Sequence, residues 1–190
     1  MSKDIYLNLG SGLDSDDGFV NVDITKYEGV DKVVDLSIYP WSWEDESISG
    51  IHAYHIIEHF ADPANFISEC HRILKKGGFL RIKVPHSSSA AGIGCLGHYR
   101  TYSYNTFKDY LSVDFYMFGK KKFDTVEQKL LWWYEGFDVY GKLPLIVKVV
   151  IKIFNPIFNF LARLSPEICE NGWCYLCGGM KEVIWRGIKL

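Results

Sequence analysis

Glycine and acidic residues recur at the ends of apolar runs in the first third of the chain. Gly10 and Gly12 follow the run that begins at Ile5, Asp23 ends a second run and Asp35 ends a third. Because the carboxyl ends of parallel strands meet at one edge of a sheet, these residues would share a ligand crevice. Glycines placed directly after a strand let the backbone approach a nucleotide closely. The pattern predicts a site for a nucleotide or nucleoside.

The glycine loop lacks the features of a phosphate-binding loop. Ser15 stands where a dinucleotide motif places its third glycine, and only seven residues separate Gly12 from Val20, too few for the usual helix. Without that helix, no N-terminal dipole faces a pyrophosphate. The stretch from residue 6 to residue 24 also carries four aspartates, and a carboxylate within about 4 Å of a phosphate costs on the order of 1 to 4 kcal/mol. A positively charged nucleoside without phosphate suits this loop better.

The order of the predicted elements indicates an α/β fold. Strands are predicted at 5–9, 19–24, 32–36, 48–57, 79–85, 123–133 and 182–190. The clearest helix is capped by Asp62, begins at Pro63 and stops before Gly77 and Gly78. Strands alternating with crossover segments predict a Rossmann-like, mostly parallel sheet, with the helix between its first two strands shortened or missing. A small-residue loop at 86–98 and a helix that Ser103 would cap and that runs through Leu111 complete the pattern.

Composition restricts the class of protein. A chain of 190 residues most simply forms one domain, and its formal net charge of −2 gives no basic surface for nucleic acid. The first residues lack the apolar stretch of a signal peptide, and five cysteines, an odd number, suit reduced thiols better than disulfides. We expect a cytoplasmic protein that does not bind nucleic acid.

Several segments together resemble the class I S-adenosylmethionine (SAM)-dependent methyltransferases: LNLGSG, VNVDI, VVDLS, HIIEHFADPANFISECHRILKKGGFLRIKVPH and GHYRTYS. More narrowly, the chain is similar to small prokaryotic members of the methyltransferase-11-like type, which are often linked to sugar and polysaccharide biosynthesis. The resemblance implies a single domain in which residues 1–111 form the cofactor-binding core and 112–190 a variable substrate and packing region. It also implies SAM as cofactor and methyl transfer to an oxygen or nitrogen nucleophile of a small molecule or glycan.

The resemblance also implies the residues of the cofactor site. They are Gly10, Ser11, Gly12, Asp23, Ile24, Asp35, Leu36 and His55. The glycine loop would lie under the methionine part of SAM, and the acid ending the second strand would bind both ribose hydroxyls. The third strand's end would contact the adenine edge, and the histidine after the fourth strand would lie near the transferred methyl group. Asn8 replaces an acidic residue that is common at the start of the loop.

Two histidines bracket the small-residue loop after the fifth strand and are the predicted catalytic bases. They are His86 and His98, either of which would remove a proton from the nucleophile. If the acceptor is a sugar, Tyr99 and Tyr102 would stack on it. Because SAM is already activated, the protein has chiefly to align the reacting groups.

Two other functions remain open from the sequence alone. The missing helix between the first two strands and the replacement of the third glycine are also consistent with a SAM-binding module that has no catalytic activity. The run HIIEH at 55–59 matches the H-x-x-E-H pattern of zinc hydrolases. However, the helix capped at Asp62 leaves barely one turn to hold the two histidines, so we expect no metal there and a packing role for His59. Cys169, Cys174 and Cys177 are one ligand short of a closed zinc site.

A long apolar segment covers 143–164. Lys148, Lys152 and Arg163 oppose its insertion across a bilayer, by roughly 2.5 to 3.5 kcal/mol for each centrally placed charge. We expect a helix pair, interrupted near Asn155 and Pro156, that packs on the sheet. The alternative is a peripheral membrane contact that meets a lipid-linked substrate.

Overall fold

The computed structural model describes residues 4–114, 119–134 and 143–190. These residues form a seven-stranded sheet in the order β3-β2-β1-β4-β5-β7-β6. The strands are β1 (Tyr6–Leu9), β2 (Val20–Asp23), β3 (Lys32–Val33), β4 (Ile48–Tyr54), β5 (Leu74–Pro85), β6 (Phe123–Leu131) and β7 (Glu182–Lys189). Strands β1 to β5 pair in parallel, and β7 pairs antiparallel with both β5 and β6. The predicted mostly parallel α/β sheet is confirmed.

Five α-helices accompany the sheet in the described part of the chain. They are α1 (Pro63–Ile73), α2 (Ala90–Gly94), α3 (Thr106–Leu111), α4 (Leu145–Leu164) and α5 (Pro166–Asn171). The Asp62 side chain accepts hydrogen bonds from the backbone N–H groups of Ala64 and Asn65, which confirms the predicted cap of α1. One face of α1 is buried against the fully buried side chains of β1, β4 and β5.

Backbone turns replace a helix between β1 and β2, as predicted, throughout residues 10–19, all of which the structure describes. The N–H groups of Gly10 and Ser11 both donate to the Val22 carbonyl, at 2.8 and 3.0 Å. The buried Asn8 side chain donates to the carbonyl of Asp14 at 3.0 Å and to the side chain of Asn21 at 2.9 Å. A neutral amide at this position therefore ties the loop to two neighbouring segments.

Three predicted boundaries in the first half of the chain are wrong. β3 ends at Val33 instead of residue 36, because Asp35 starts a turn with Ser37 and the Trp41 indole N–H binds the Leu36 carbonyl. β4 ends at Tyr54, before residue 57. β5 starts at Leu74 instead of residue 79. Leu74 pairs with Ile48 and Phe79 pairs with Gly50, so residues 75–78 lie at a register shift within the strand.

The second half also departs from several expectations. The loop at 86–98 contains the short helix α2, and β6 ends at Leu131 instead of residue 133. Ser103 does not cap α3, which begins at Thr106, because its backbone N–H and hydroxyl both bond the Thr106 hydroxyl.

The apolar segment forms one continuous helix, α4, and not a helix pair. Pro156 lies inside α4; it lacks the N–H that would bond the carbonyl of Lys152, which lies on an exposed turn. Only Ile151 and Ala162 of α4 are buried. Within the described ranges, α4 is the one helix that is long and apolar enough to cross a membrane by length and composition.

Candidate active site

The glycine loop combines a backbone conformation that favours glycine with an unsatisfied hydroxyl. Gly10 has a φ of +69°, and a Cβ atom added there would lie 2.7 Å from the Ile56 side chain. The Ser11 side chain is buried, and its hydroxyl has no hydrogen-bond partner among the described residues. A buried hydroxyl without a partner is costly. Gly10 therefore allows the loop to pack against Ile56, and Ser11 offers one free polar group.

Asp23 lies at the carboxyl end of β2, opposite this loop. Its Oδ2 accepts a hydrogen bond from the Gly12 N–H at 2.9 Å, and its Oδ1 accepts one from the Thr25 N–H at 2.9 Å. Each carboxylate oxygen has two lone pairs, so one acceptor site remains on each. Ile24, the next residue, exposes 62% of its surface. Asp23 thus presents two free acceptor sites beside the apolar side chain of Ile24.

Asp35 and Leu36 differ sharply in exposure. The half-buried Asp35 accepts hydrogen bonds at its carboxylate from the Ser37 hydroxyl and N–H, and these bonds lower its pKa. The Leu36 side chain lies in the core. Only the backbone of Leu36 is therefore placed to contact an adenine, whereas the Asp35 side chain is accessible.

A cavity of about 620 Å³ opens where β4 and β5 end. Its polar lining comes from His55, Glu58, His59, His98, Tyr134 and Lys181. The loop residue Ile56, which packs against Gly10, directly follows His55 in the chain. The cavity therefore adjoins the glycine loop at the edge of the sheet where ligands bind in open α/β folds.

His55 joins two buried carboxylates. It has a φ of +52°, and its Nε2 donates to Glu182 at 2.7 Å, while its Nδ1 lies 3.6 Å from Glu58. Burial disfavours the charged ring, but the hydrogen bonds and charges of the two carboxylates outweigh it and raise the pKa of His55 to about 9. At neutral pH this imidazole is a cation within the cavity wall.

His86 does not face the cavity, which corrects its prediction as a base. The side chain is 1% exposed, its Nε2 donates to Glu170 at 2.8 Å, and its Nδ1 lies 2.7 Å from the Ser88 hydroxyl. Burial opposes ionisation of Glu170, but hydrogen bonds from His86 and from the Tyr104 N–H outweigh it and lower the pKa of the carboxyl. His86 therefore connects the loop after β5 to α5.

His98 lines the cavity. Its Nδ1 is buried without a hydrogen-bond partner in the described part of the chain. Tyr99 beside it is exposed, whereas Tyr102 is buried and its hydroxyl donates to the Ile57 carbonyl at 3.3 Å. Of the two tyrosines predicted to stack on a sugar, only Tyr99 is accessible.

The H-x-x-E-H pattern does not form a helical zinc site. His55 has a left-handed backbone conformation, and only a single 3-10 turn, Ile57–His59, follows it. The two histidines therefore do not share a helix face, and His55 instead bonds Glu182. The packing role expected for His59 is also wrong, because this side chain is exposed.

The three C-terminal cysteines are free thiols that pack around α5. The Cys174 thiol donates to the Glu170 carbonyl, and the Cys177 thiol donates to the Cys174 carbonyl. Burial raises the pKa of all three thiols, that of Cys169 to about 12. They are therefore protonated at neutral pH and behave as small packing groups.

Four polar residues of the cavity were not predicted as site residues: Glu58, His59, Tyr134 and Lys181. Glu58 and His59 had a local signal in HIIEH, but Tyr134 and Lys181 had none, nor did Glu182, which bonds His55. Glu182 reaches His55 across 127 positions of sequence because β7 lies beside β5. Such a contact depends on strand pairing, which no local pattern reveals.

Comparisons with known proteins agree with this architecture. Residues 9–82 match the family model of a methyltransferase domain. A SAM-dependent methyltransferase from Archaeoglobus fulgidus superimposes with a TM-score of 0.58 at 19% identity, covering 98% of this chain and 86% of that one. No curated protein sequence matches the chain significantly.

Two further solved structures share the fold. Geranyl diphosphate C-methyltransferase from Streptomyces coelicolor, in complex with S-adenosylhomocysteine, has a TM-score of 0.57 at 12% identity and covers 99% of this chain and 71% of that one. The cyclase SpnF has a TM-score of 0.54 at 14% identity and covers 97% and 73%. Residues 9–82 thus match a methyltransferase domain, and the chain as a whole shares the fold of class I, SAM-dependent methyltransferases.

Proposed function

We propose that this protein transfers the methyl group of SAM to an oxygen or nitrogen nucleophile of a small molecule or glycan held in the cavity. The observation that carries the proposal is the position of the cavity, which adjoins the glycine loop through Ile56 and is lined by imidazole groups. A nucleophile bound there would lie on the methionine side of the cofactor site.

The residues of the cofactor site fit SAM. Ser11 offers an unsatisfied buried hydroxyl, and the space beside Gly12, where a Cβ atom would lie, is open. The two free acceptor sites on Asp23 suit a pair of ribose hydroxyls, and the exposed Ile24 suits the apolar face of adenine. When bound, SAM supplies a methyl group already activated on a sulfonium. The loop's acidity favours such a cation and disfavours a pyrophosphate.

The protein's own contribution is to orient the acceptor and to remove its proton. His98 is the proposed base, because its Nδ1 has no described hydrogen-bond partner and the side chain lines the cavity. His55 is less suited to this role, since its pKa of about 9 keeps it protonated at neutral pH.

A SAM-binding protein without methyl transfer is the second candidate. The observation that favours it is the cyclase SpnF among the proteins of this fold, because it shows that the fold is compatible with another reaction. Formation of S-adenosylhomocysteine with any acceptor, from sugars, glycolipids, alcohols or amines, would decide for methyl transfer.

We expect SAM and S-adenosylhomocysteine, but not NAD, to bind in calorimetric titrations of the full chain. The acidic loop and the absence of a helix in residues 10–19 disfavour the pyrophosphate of NAD. Adenosine serves as the matched control, since it contains the nucleoside but neither the positive charge of SAM nor the negative pyrophosphate of NAD. Tight NAD binding with no response to both sulfur nucleosides would contradict the proposed cofactor site.

We further propose that α4 attaches this cytoplasmic protein to an anionic membrane surface. An α-helix turns by about 100° per residue. On α4 this produces three adjacent sectors, which hold the buried residues Ile151 and Ala162, the three basic residues, and the exposed apolar residues. Exposed apolar residues are Leu145, Ile146, Val149, Val150, Ile153, Phe154, Ile157, Phe160, Leu161 and Leu164. Basic side chains beside an apolar face are typical of interfacial helices.

An apolar groove supports a lipid-linked acceptor. It has a volume of about 450 Å³ and lies between α4 and the 3-10 turn Trp173–Cys177. It is lined by Phe158, Leu161, Leu164, Trp173, Leu176 and Cys177. A lipid chain in this groove would keep the acceptor close to the surface on which the helix lies.

We expect the protein to sediment with vesicles of phosphatidylcholine and phosphatidylserine, and to bind phosphatidylcholine alone more weakly. Replacing Lys148, Lys152 and Arg163 together with Gln should weaken binding to the mixed vesicles by about 3 kcal/mol, at about 1 kcal/mol for each basic residue. Phe160→Ser should weaken binding to both kinds of vesicle. Val126→Ser removes an equally exposed apolar group from β6 and should change neither. No sedimentation with either vesicle would contradict membrane attachment.

A further inference from the structure

We propose that Glu58, His59 and His98 bind one divalent metal ion of the zinc class, with an open coordination position facing the cavity. One potential ligand atom from each residue lies within 4.8 Å of the others. All three residues line the cavity of about 620 Å³. The proposal depends on these three side chains, which differ from the histidine pair of the H-x-x-E-H pattern.

Glu58 supplies a carboxylate that lacks hydrogen bonds. Its side chain is 1% exposed, and neither oxygen accepts a hydrogen bond from a described residue. The imidazolium of His55 lies 3.6 Å from one oxygen, but the same ring donates its shorter bond of 2.7 Å to Glu182. Burying a carboxylate without a hydrogen bond is costly, and the one imidazolium of His55 is shared between two carboxylates. A dication at Glu58 would remove that cost.

His59 is held in the tautomer that a metal requires. Its Nδ1 lies 2.9 Å from the Gly97 carbonyl oxygen, which can only accept, so Nδ1 is the donor and Nε2 keeps its lone pair. Histidines that bind metals usually donate their other ring N–H to a carbonyl or carboxylate in this way. The exposed ring of His59 is therefore oriented without being blocked.

His98 brings a second unsatisfied group to the same place. Its Nδ1 is buried without a described hydrogen-bond partner, and its ring stands perpendicular to that of His59 with centroids 4.8 Å apart. The Tyr99 N–H donates to the Glu58 carbonyl at 2.9 Å. This backbone bond fixes the His98 segment against the turn that carries the other two groups.

The ligand types favour zinc over magnesium or calcium. Two imidazoles and one carboxylate form a common ligand set of catalytic zinc, whereas the harder cations prefer oxygen ligands. Zinc bonds of about 2.0 to 2.2 Å place tetrahedral ligand atoms roughly 3.3 Å apart. The three groups would therefore move together by about 1.5 Å on binding, and the cavity would supply the fourth ligand.

Resting on the proposed function, the site identifies the acceptor as an oxygen nucleophile. An acceptor hydroxyl in the open position would have its pKa lowered, as the pKa of zinc-bound water is lowered to about 7. Its proton would leave to solvent in the open cavity, and its oxygen would take the methyl group as the bond from methyl to the SAM sulfur breaks and S-adenosylhomocysteine leaves. His98 would then act as a ligand and not as a free base. The acceptor class narrows to alcohols and sugar hydroxyls that can bind a metal through oxygen.

The test is calorimetric titration of the full, tag-free, chelator-treated chain with zinc chloride, with calcium as a second cation. We expect one zinc per chain and no calcium at the same concentration. Glu58→Gln, His59→Gln and His98→Gln should each weaken zinc binding by at least 10- to 100-fold. His71→Gln removes a histidine on α1, outside the cavity lining, and should leave zinc binding unchanged.

His59→Gln is the decisive variant, because its side chain is exposed and its replacement should preserve the fold. Unchanged zinc affinity in folded His59→Gln, or an equal loss in His71→Gln, would overturn the metal site. A titration of the same samples with SAM separates the two proposals. SAM binding without zinc binding overturns only the metal site, whereas zinc binding without SAM binding overturns only the proposed function.

Discussion

We expect His98→Ala to lower the rate of methyl transfer by roughly 10²- to 10⁴-fold, while SAM affinity stays within a few-fold. The reason is that His98 lines the cavity and has a buried Nδ1 without a described partner, whereas the predicted cofactor residues lie on β1 to β4 and the loops that follow them. Whether it acts as base or metal ligand, its removal takes away the group that activates the nucleophile. S-adenosylhomocysteine formation measures turnover, and calorimetry measures SAM binding.

His86→Ala is the matched control, because it removes a histidine from the other end of the same loop. His86 is buried and bonded to Ser88 and Glu170, so its loss should lower the free energy of unfolding by about 1 to 3 kcal/mol. Turnover per folded molecule should fall much less than in His98→Ala. Full activity in folded His98→Ala, or a larger catalytic loss in folded His86→Ala, would contradict the assignment of His98.

Substitutions of two other cavity residues, Glu58 and His59, show whether His98 acts as a base or as a metal ligand. If His98 acts alone as a base, Glu58→Gln and His59→Gln should leave turnover close to that of the unmodified protein. If the three residues hold a metal, each substitution should reduce turnover to a similar extent, because residues that act as a unit are not additive. The pattern of losses therefore distinguishes a base from a ligand.

The places of the predicted cofactor residues at the ends of strands could be read from the sequence because they depend on local patterns. Gly10 follows a buried strand, Asp23 ends the next strand, and Asp62 precedes Pro63 at the start of α1; each is a signal contained within a few residues. The short spacing from Gly12 to Val20 likewise sufficed to predict the missing helix. These features are set by strand and helix geometry along the chain, which residue type and spacing report directly.

The acceptor half depends on contacts between distant segments and could not be predicted in the same way. His55 meets Glu182 only because β7 inserts beside β5, and His86 meets Glu170 across 84 positions. Both histidines looked alike in the sequence, yet one lines the cavity and the other fixes a loop. The exposure of His59 was also predicted wrongly, because it follows two buried residues, Ile57 and Glu58, in the same 3-10 turn.

Asp23→Ala should weaken SAM binding by about 1 to 3 kcal/mol, which corresponds to roughly 5- to 150-fold in the dissociation constant. The carboxylate has one free acceptor site on each oxygen, and hydrogen bonds to a charged acceptor are stronger than those to a neutral one. Asp23→Asn retains an oxygen acceptor but loses the charge, so it should fall between the alanine variant and the unmodified protein. Calorimetric titration with SAM measures all three.

The control for this series is Asp17→Ala, which removes the same charge from an exposed position in the same loop. If the loop acts only through its overall negative charge, Asp17→Ala and Asp23→Ala should weaken SAM binding equally, and added salt should reduce both effects. If Asp23 binds the ribose, its effect should be larger and should persist in salt, and adenosine affinity should fall with it. Unchanged SAM affinity in folded Asp23→Ala would instead place the ribose away from the end of β2. No other carboxylate in this loop accepts the Gly12 N–H, so none stands ready to replace Asp23 there.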